Sequence, residues 1–258
     1  MVDAFGWVLF LNAVGDFVKF KVSTPSIMLV WQRDILNART PPRVTCKHHE
    51  YDQDQIEPND AWYRMENELV QRSFFFGEEE IEAIRNQVSP IHCSSGRFEL
   101  LTSYLWKNRT IALDLNPEET VALACPVTGS GRLEKLKIPQ GYYGNAFAFA
   151  SVISKAGLVG TNPLTYCLEL VKKAKNQVNE EYFSSLADLN VIKGKPYPIV
   201  TWSFVLSNSF HVGFDKVEFG WGILTPISLP PRAMERFENA IYKLTSNVVK
   251  ALKKVPKT

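Results

Sequence analysis

The chain has 258 residues, 45% of them hydrophobic and 22% charged, a globular composition that excludes disordered, collagenous and coiled-coil classes. Twenty-nine Lys and Arg against 27 Asp and Glu leave a net charge of +2, far from the one-sided charge that announces nucleic acid as a partner. Four cysteines, Cys46, Cys93, Cys125 and Cys167, stand far apart with no CxxC pair, so they read as cytosolic thiols and not as a zinc site or disulfide scaffold.

The apolar run at 5–14 has no basic residue in front of it, as a signal peptide would, and is shorter than the about 20 apolar residues of a membrane helix. Val8, Leu11, Val14, Gly15 and Val18 recur at helical spacing, which predicts an amphipathic helix with a buried stripe. Residues 23–73 read as a long connector, broken by Pro25, Pro41, Pro42 and Pro58, and its length points to a crossover between domains.

Phe74-Phe75-Phe76-Gly77 is strand-like, and 78–87 is helical with acidic residues crowding its first turn. A second helix is expected over 98–113, a strand over 121–127, a partly alternating aromatic segment over 141–150, and a helix from Asn162-Pro163 to about Lys175. Residues 201–207 are β-branched and aromatic, hence a strand. The tail over 231–254 is helical, with Met234, Phe237, Ile241, Leu244 and Val248 three and four apart. Sheets covered by helices, an α/β sandwich, is the expected fold class.

Few side-chain groupings could carry chemistry. His48-His49-Glu50-Tyr51-Asp52 offers imidazoles and carboxylates, but it sits in the connector without a third ligand at metal spacing, so no metal site is assigned. His92 beside Cys93 reads as a loop residue, and His211 after a strand end as an ordinary surface group. The phosphate-cradling patterns GxGxxG and GxxxxGK[ST] are absent. Gly141-Tyr142-Tyr143-Gly144-Asn145 and Gly220-Trp221-Gly222 are Gly-aromatic turns that a structural role alone explains.

Several strings together resemble the plant BAHD acyltransferases, marked by HxxxD and DFGWG motifs, and in particular their alcohol acyltransferase and benzyl alcohol O-benzoyltransferase branch. Met1-Val2-Asp3-Ala4-Phe5-Gly6 is similar to the end of an H-T-M-x-D-A-x-G form of HxxxD, and the segment from Trp31 to Asp52 to that branch's crossover. Gly141 to Phe149, Asn179-Glu180-Glu181-Tyr182, and Glu218-Phe219-Gly220-Trp221-Gly222, with Glu for the motif Asp, continue the match. Pro226-Ile227-Ser228-Leu229-Pro230 and Met234-Glu235-Arg236-Phe237 complete it.

The resemblance implies a chloramphenicol acetyltransferase-like sandwich: residues 1–22 as a remnant of the first domain, 23–73 as crossover and 74–258 as the second domain. It implies transfer of an acyl group from acyl-CoA to a small alcohol, with acyl-CoA as co-substrate, no permanently bound cofactor and no nucleic-acid or membrane partner. Full-length relatives are expected to be monomeric, and the oligomeric state of this chain is left open. A cytoplasmic location follows from the lack of a targeting segment.

In the family the motif histidine is the general base, and the motif Asp, here Asp3, has a structural role beside an arginine of the second domain. Counting back from Asp3 puts the histidine two positions before Met1, so a truncated chain without its base, and hence inactive, is expected. The loop similar to D-G-R-S-R-L reads Thr128-Gly129-Ser130-Gly131-Arg132-Leu133, which leaves Arg132 as the partner for Asp3. Gly222 runs straight into Ile223, an internal deletion near 222–223 relative to the family, and exposed apolar surface is expected where first-domain strands are missing.

Ser207 and Asn208 resemble a strand-end pair facing the tetrahedral oxygen, and equally fit an ordinary turn. Glu218, Phe219, Gly220, Trp221 and Gly222 resemble motif residues of structural role. His48 and Asp52 spell HxxxD, but Gln53 follows them and the surrounding string matches the crossover, so the pair is set aside. The alternative to an acyltransferase chain is a non-catalytic pseudoenzyme that binds CoA or a partner.

Overall fold

The computed structural model describes residues 2–19, 23–51, 69–130, 133–194, 196, 202–207 and 223–252. Helix α1 spans Ala4–Lys19. Strand β1 (Val70–Phe76) leads into α2 (Glu78–Arg85) and α3 (Arg97–Leu113), followed by β2 (Thr120–Thr128) and β3 (Phe147–Lys155). Helices α4 (Ala156–Thr161), α5 (Leu164–Gln177) and α6 (Glu180–Ile192) come next, then β4 (Ser203–Val205), β5 (Ile223–Leu229) and α7 (Pro231–Leu252). No helix among the described residues is long and apolar enough to cross a membrane.

Two sheets result. β1 and β5 form an antiparallel pair in register from Val70 opposite Leu229 to Phe76 opposite Ile223. The second sheet has the order β3-β2-β4, with β2 antiparallel to β3 and parallel to β4. Alternation in β2 buries Val121, Leu123, Cys125 and Val127 on one face, and the β3 residues in register with the last two, Ala150 and Ala148, are buried as well. Those alanines leave room for α5, whose Leu164, Cys167, Leu168, Val171 and Ala174 form its buried stripe.

α3 is the central helix. Its buried residues surround the axis, from Leu100, Leu101, Tyr104, Leu105 and Trp106 to Arg109 and Leu113, and it touches α2, α4, α5 and α7. Lys107 reaches past this core to the end of α4, where its Nζ donates to the carbonyls of Val159, Gly160 and Asn162 at 2.9, 2.7 and 2.6 Å. α7 starts on Pro231, a favoured first helical residue, and buries Ala233, Met234, Phe237, Ile241 and Leu244, with Phe237 edge-on to Phe74.

Several expectations are corrected. β1 begins at Val70, so its first residues belong to what reads as connector. The aromatic segment over 141–150 is a loop up to Ala146 and a strand only from Phe147. α4 and α6 were not anticipated as helices. The buried stripe of α1 is not there: Gly6 and Ala13 are buried, whereas Trp7, Phe10, Leu11, Val14 and Phe17 are 38–46% exposed. Spacing shows that a helix has an apolar side, but not that an element lies over it. The anticipated exposed apolar surface is found on this helix.

Residues 23–51 form no free tether. Asp188 on α6 is fully buried, and its Oδ1 accepts the Arg39 amide at 2.7 Å while Oδ2 accepts Arg39 Nε at 2.6 Å and the Arg43 amide at 3.1 Å. Arg39 Nη1 continues to Glu181, about two turns earlier on the same helix, at 2.7 Å. Between them Ser185 Oγ accepts the amides of Thr45 and Cys46, each at 3.0 Å, and meets His48 Nε2 at 2.9 Å. Two amides occupy both lone pairs of that hydroxyl, so its proton goes to His48 Nε2 and the imidazole carries its own proton on Nδ1.

Further upstream, Val30 makes a parallel bridge to Tyr142, with Val30 N donating to Gly141 O and Tyr143 N to Val30 O, both at 2.8 Å. Gly141 permits that approach, since a Cβ there would sit 2.0 Å from Met28 O.

Two outcomes test this clamp. Burial by itself raises the pKa of Asp188, but the Arg43 amide, the Arg39 guanidinium and the Arg39 amide outweigh it and hold the carboxyl below its ordinary 3.8. The stabilisation is therefore present at neutral pH and fades as pH falls from about 4 through the folded-state pKa. Asp188→Ala should cost about 3 kcal/mol by leaving Arg39 without its buried partner, and urea titrations from pH 7 downward should show less acid sensitivity in the variant than in the parent. Gly141→Ala should cost on the order of 1–3 kcal/mol through overpacking, read by thermal unfolding.

Candidate functional site

Asp3 is the residue from which the site is built. It stands just before α1, where its Oδ1 accepts the Gly6 amide at 3.0 Å, an N-cap interaction that satisfies one of the helix's free donors. Its other oxygen, Oδ2, accepts the Ala146 amide at 2.9 Å, and its own amide donates to Gly144 O at 3.3 Å. One carboxylate thus joins the first turn of α1 to the loop that opens β3. Both oxygens are committed to backbone amides, which suits an anchoring group.

That loop is crowded by aromatic rings. Tyr142 is buried, and Tyr143 packs against Trp31 with ring centroids 4.8 Å apart. Arg33 lies over Trp31 at 5.1 Å and donates from Nε to Tyr143 O at 3.3 Å. The connector therefore flanks the same Gly144-Asn145-Ala146 turn that holds Asp3.

The pleat defines a second, more open sheet face beyond this turn. Ser151 on β3, Ala124 on β2 and Val205 on β4 lie in one row across the three strands. Phe147, Phe149 and Ser203 share their face, and all of these side chains are partly or well exposed. Among the described residues Ser151 Oγ on this face is buried without a hydrogen-bond partner. Leu206 N still donates to Ala124 O at 3.0 Å, so the ladder runs on for one residue past β4. Ser207 follows, exposed, with the strand parity of Ser203 and Val205. A hydroxyl at a strand end facing open space can donate to a ligand oxygen.

Of the residues singled out from the sequence, Asp3 and Ser207 are thus placed, both toward the end of the sheet where β2 reaches Thr128 and β3 begins at Phe147. Arg132, Asn208, Glu218, Phe219, Gly220, Trp221, Gly222 and His211 lie outside the described residues. His48 is buried against Tyr182, with ring centroids 4.4 Å apart, and serves the connector clamp. His92 sits in the single turn Pro90–His92, 3.1 Å from Glu169. Burial pushes the thiols of Cys125 and Cys167 up to about 11, which leaves them protonated and unreactive at neutral pH. Among the described residues no group of three His, Cys, Asp or Glu converges as a metal site.

Sequence reading missed Asp188, Ser185 and Arg109. The first two, with Glu181, recur at spacings of four and three along α6, a polar stripe that looks like a solvated face. Arg109 carried no such signal, because α3 mixes Glu99, Lys107 and Asn108 with its apolar residues and nothing in the pattern marks one arginine as buried.

Comparison with known proteins gives this geometry a family. Residues 1–250 match the profile described as "Transferase family". Alcohol acyl transferase 1 allele GSa of Malus domestica is 43% identical over 276 residues, covering 95% of this chain and 60% of the relative. Alcohol acyltransferase 16 of Actinidia chinensis var. chinensis is 38% identical, with 96% and 60% covered. The chain thus spans about 60% of the length of these curated relatives.

Among solved structures, F. graminearum TRI101 complexed with coenzyme A and deoxynivalenol aligns with a TM-score of 0.65 at 12% identity, over 92% of this chain and 63% of its own. Vinorine synthase aligns at 0.64 and 15%, over 94% and 60%. At that identity the likeness speaks for the fold, a chloramphenicol acetyltransferase-like α/β sandwich. The chain belongs to the BAHD transferase family.

Proposed function

We propose that this sequence is part of an acyl-CoA-dependent alcohol O-acyltransferase, with 1–22 from the first domain, 23–73 as crossover and 74–258 as the second domain. The observation that carries the reading is the 38–43% identity to alcohol acyl transferases of Malus and Actinidia across almost the whole chain. The placement of Asp3 fits it: an acid that ties a helix start to the opposite loop fixes whatever precedes that helix. In the HxxxD motif that is the base histidine.

The reaction moves one acyl group. A base takes the proton of the acceptor hydroxyl, the oxygen attacks the thioester carbonyl, a donor such as Ser207 steadies the oxyanion, and the carbon–sulfur bond breaks to release CoA and ester. Asn208 beside Ser207, and Arg132 beside Asp3, complete the proposed set. Small alcohols, including benzyl-type acceptors, are the proposed substrates, and the cytoplasm the proposed compartment.

The histidine that serves as base is not among these 258 residues. The 258-residue polypeptide on its own is therefore proposed to lack acyl transfer, while the second domain retains surface for CoA.

The test compares the 258-residue polypeptide with the translation product of the full transcript, sequenced upstream of Met1. Ester formation from acetyl-CoA or benzoyl-CoA and an alcohol is expected of a product that includes His-Thr before Met1, and none of the polypeptide. Turnover by the polypeptide at a comparable rate would overturn the inactivity. CoA binding by the polypeptide in calorimetry, with no upstream coding sequence in the transcript, would make it a binding pseudoenzyme. In an active longer product, Asp3→Ala should lower kcat by roughly 100-fold, because a reacting group displaced by about 1 Å loses that much.

A further inference from the structure

Arg109 leaves α3 toward β4 and is only 5% exposed. Its Nη1 donates to Trp202 O at 3.4 Å and its Nη2 to Ser203 O at 3.2 Å, while the guanidinium lies 5.2 Å from the centroid of the Phe204 ring. Among the described residues no carboxylate pairs with it, and burial pulls its pKa down to about 10. A buried cation without a counter-charge is expensive, and an apolar side chain of the same volume would fill this space at less cost. Stability alone does not account for an arginine here; the two carbonyls that it holds do.

They belong to the entry of β4. Trp202 is buried at 4% exposure and has φ +52°, the left-handed region that bulky residues seldom occupy because it is strained for them. The strand that follows is three residues long and, among the described residues, pairs only with β2, through Ser203, Phe204 and Val205 opposite Ala122, Leu123 and Ala124. So short a strand fixes its own register poorly, and a slip of one residue would turn every side chain to the other face. Arg109 grips the segment from the helix side: two carbonyls are held, and the Phe204 ring is pinned under the guanidinium. With Phe204 fixed on the helix side, Ser203, Val205 and Ser207 are left on the open face.

We propose that Arg109 is a positioning residue for acyl transfer: from α3 it holds the left-handed turn at Trp202 and the register of β4, and so places Ser207 at the end of the open face. The proposal rests on the reading of that strand end as part of an acyltransferase site. A lysine at the same position supplies charge but no planar fork, so it reaches one carbonyl and loses the flat contact with Phe204.

The experiment uses Arg109→Met and Arg109→Lys in two settings. In the 258-residue polypeptide, amide hydrogen exchange over 203–206 is followed; in the longer translation product, steady-state kinetics with acyl-CoA and alcohol are measured. Both variants are expected to fold, with exchange over 203–206 roughly tenfold faster in Arg109→Met and an intermediate value in Arg109→Lys. In the longer product kcat should fall on the order of 100-fold in Arg109→Met, with the KM for acyl-CoA changed by less than about threefold, and Arg109→Lys should recover part of the rate.

Exchange and kcat within about twofold of the parent in both variants would overturn the proposal, as would a loss of rate that only tracks the loss of folded protein. A parent longer product without turnover overturns the acyl-transfer reading itself and removes the catalytic part of the proposal. Unchanged exchange in the polypeptide overturns the assignment to Arg109 alone.

Discussion

A carboxylate taken out of water has to be given partners, and Asp188 obtains them only if the connector folds over α6. Three of its four hydrogen-bonding requirements are met by Arg39 and Arg43, two of them by main-chain amides that no other packing of the segment would aim at the same point. That requirement sets the path of residues 30–48. With the path set, Val30 falls beside Tyr142, and the loop 141–146 is held from one side by the connector and from the other by β3. The Ala146 amide that receives Asp3 belongs to this loop. The placement of Asp3 thus descends, through the connector and the 141–146 loop, from a charge buried on a helix far along the sequence.

Much of the frame was legible because period and burial agree there. β2 alternates, α5 and α7 repeat at three and four, and Pro231 marks a helix start; each of these segments buries the face that its pattern names. Where the reading failed, a different physics decided. The polar stripe of Glu181, Ser185 and Asp188 suits a solvated helix face until a loop with matching amides lies on it, and nothing in the local pattern announces that loop. The apolar stripe of α1 is the reverse case, a face whose pattern calls for cover that the described residues do not supply. Asp3 was recognised by resemblance, and only the structure shows that its oxygens end on backbone amides.

The open face of the second sheet joins these two halves of the architecture. One end is governed by Asp3 and the connector, the other by α3 through the turn at Trp202. The residues between them are small or aromatic, with Ala124, Ser151 and Val205 in a single row, so the floor is flat and offers little hydrogen bonding of its own. Such a floor offers apolar contact and leaves hydrogen bonding to the strand ends.

The pairing of Ser185 with His48 has a consequence for observing the protein. An imidazole in free exchange between its two neutral tautomers gives averaged ring-nitrogen signals, whereas one whose Nε2 is held as an acceptor gives two distinct environments. His48 is buried, and its tautomer is dictated by a hydroxyl whose lone pairs are filled from the connector. Its nitrogen resonances are therefore a built-in gauge of whether the connector is seated on α6, legible in an isotope-labelled sample that carries no added probe.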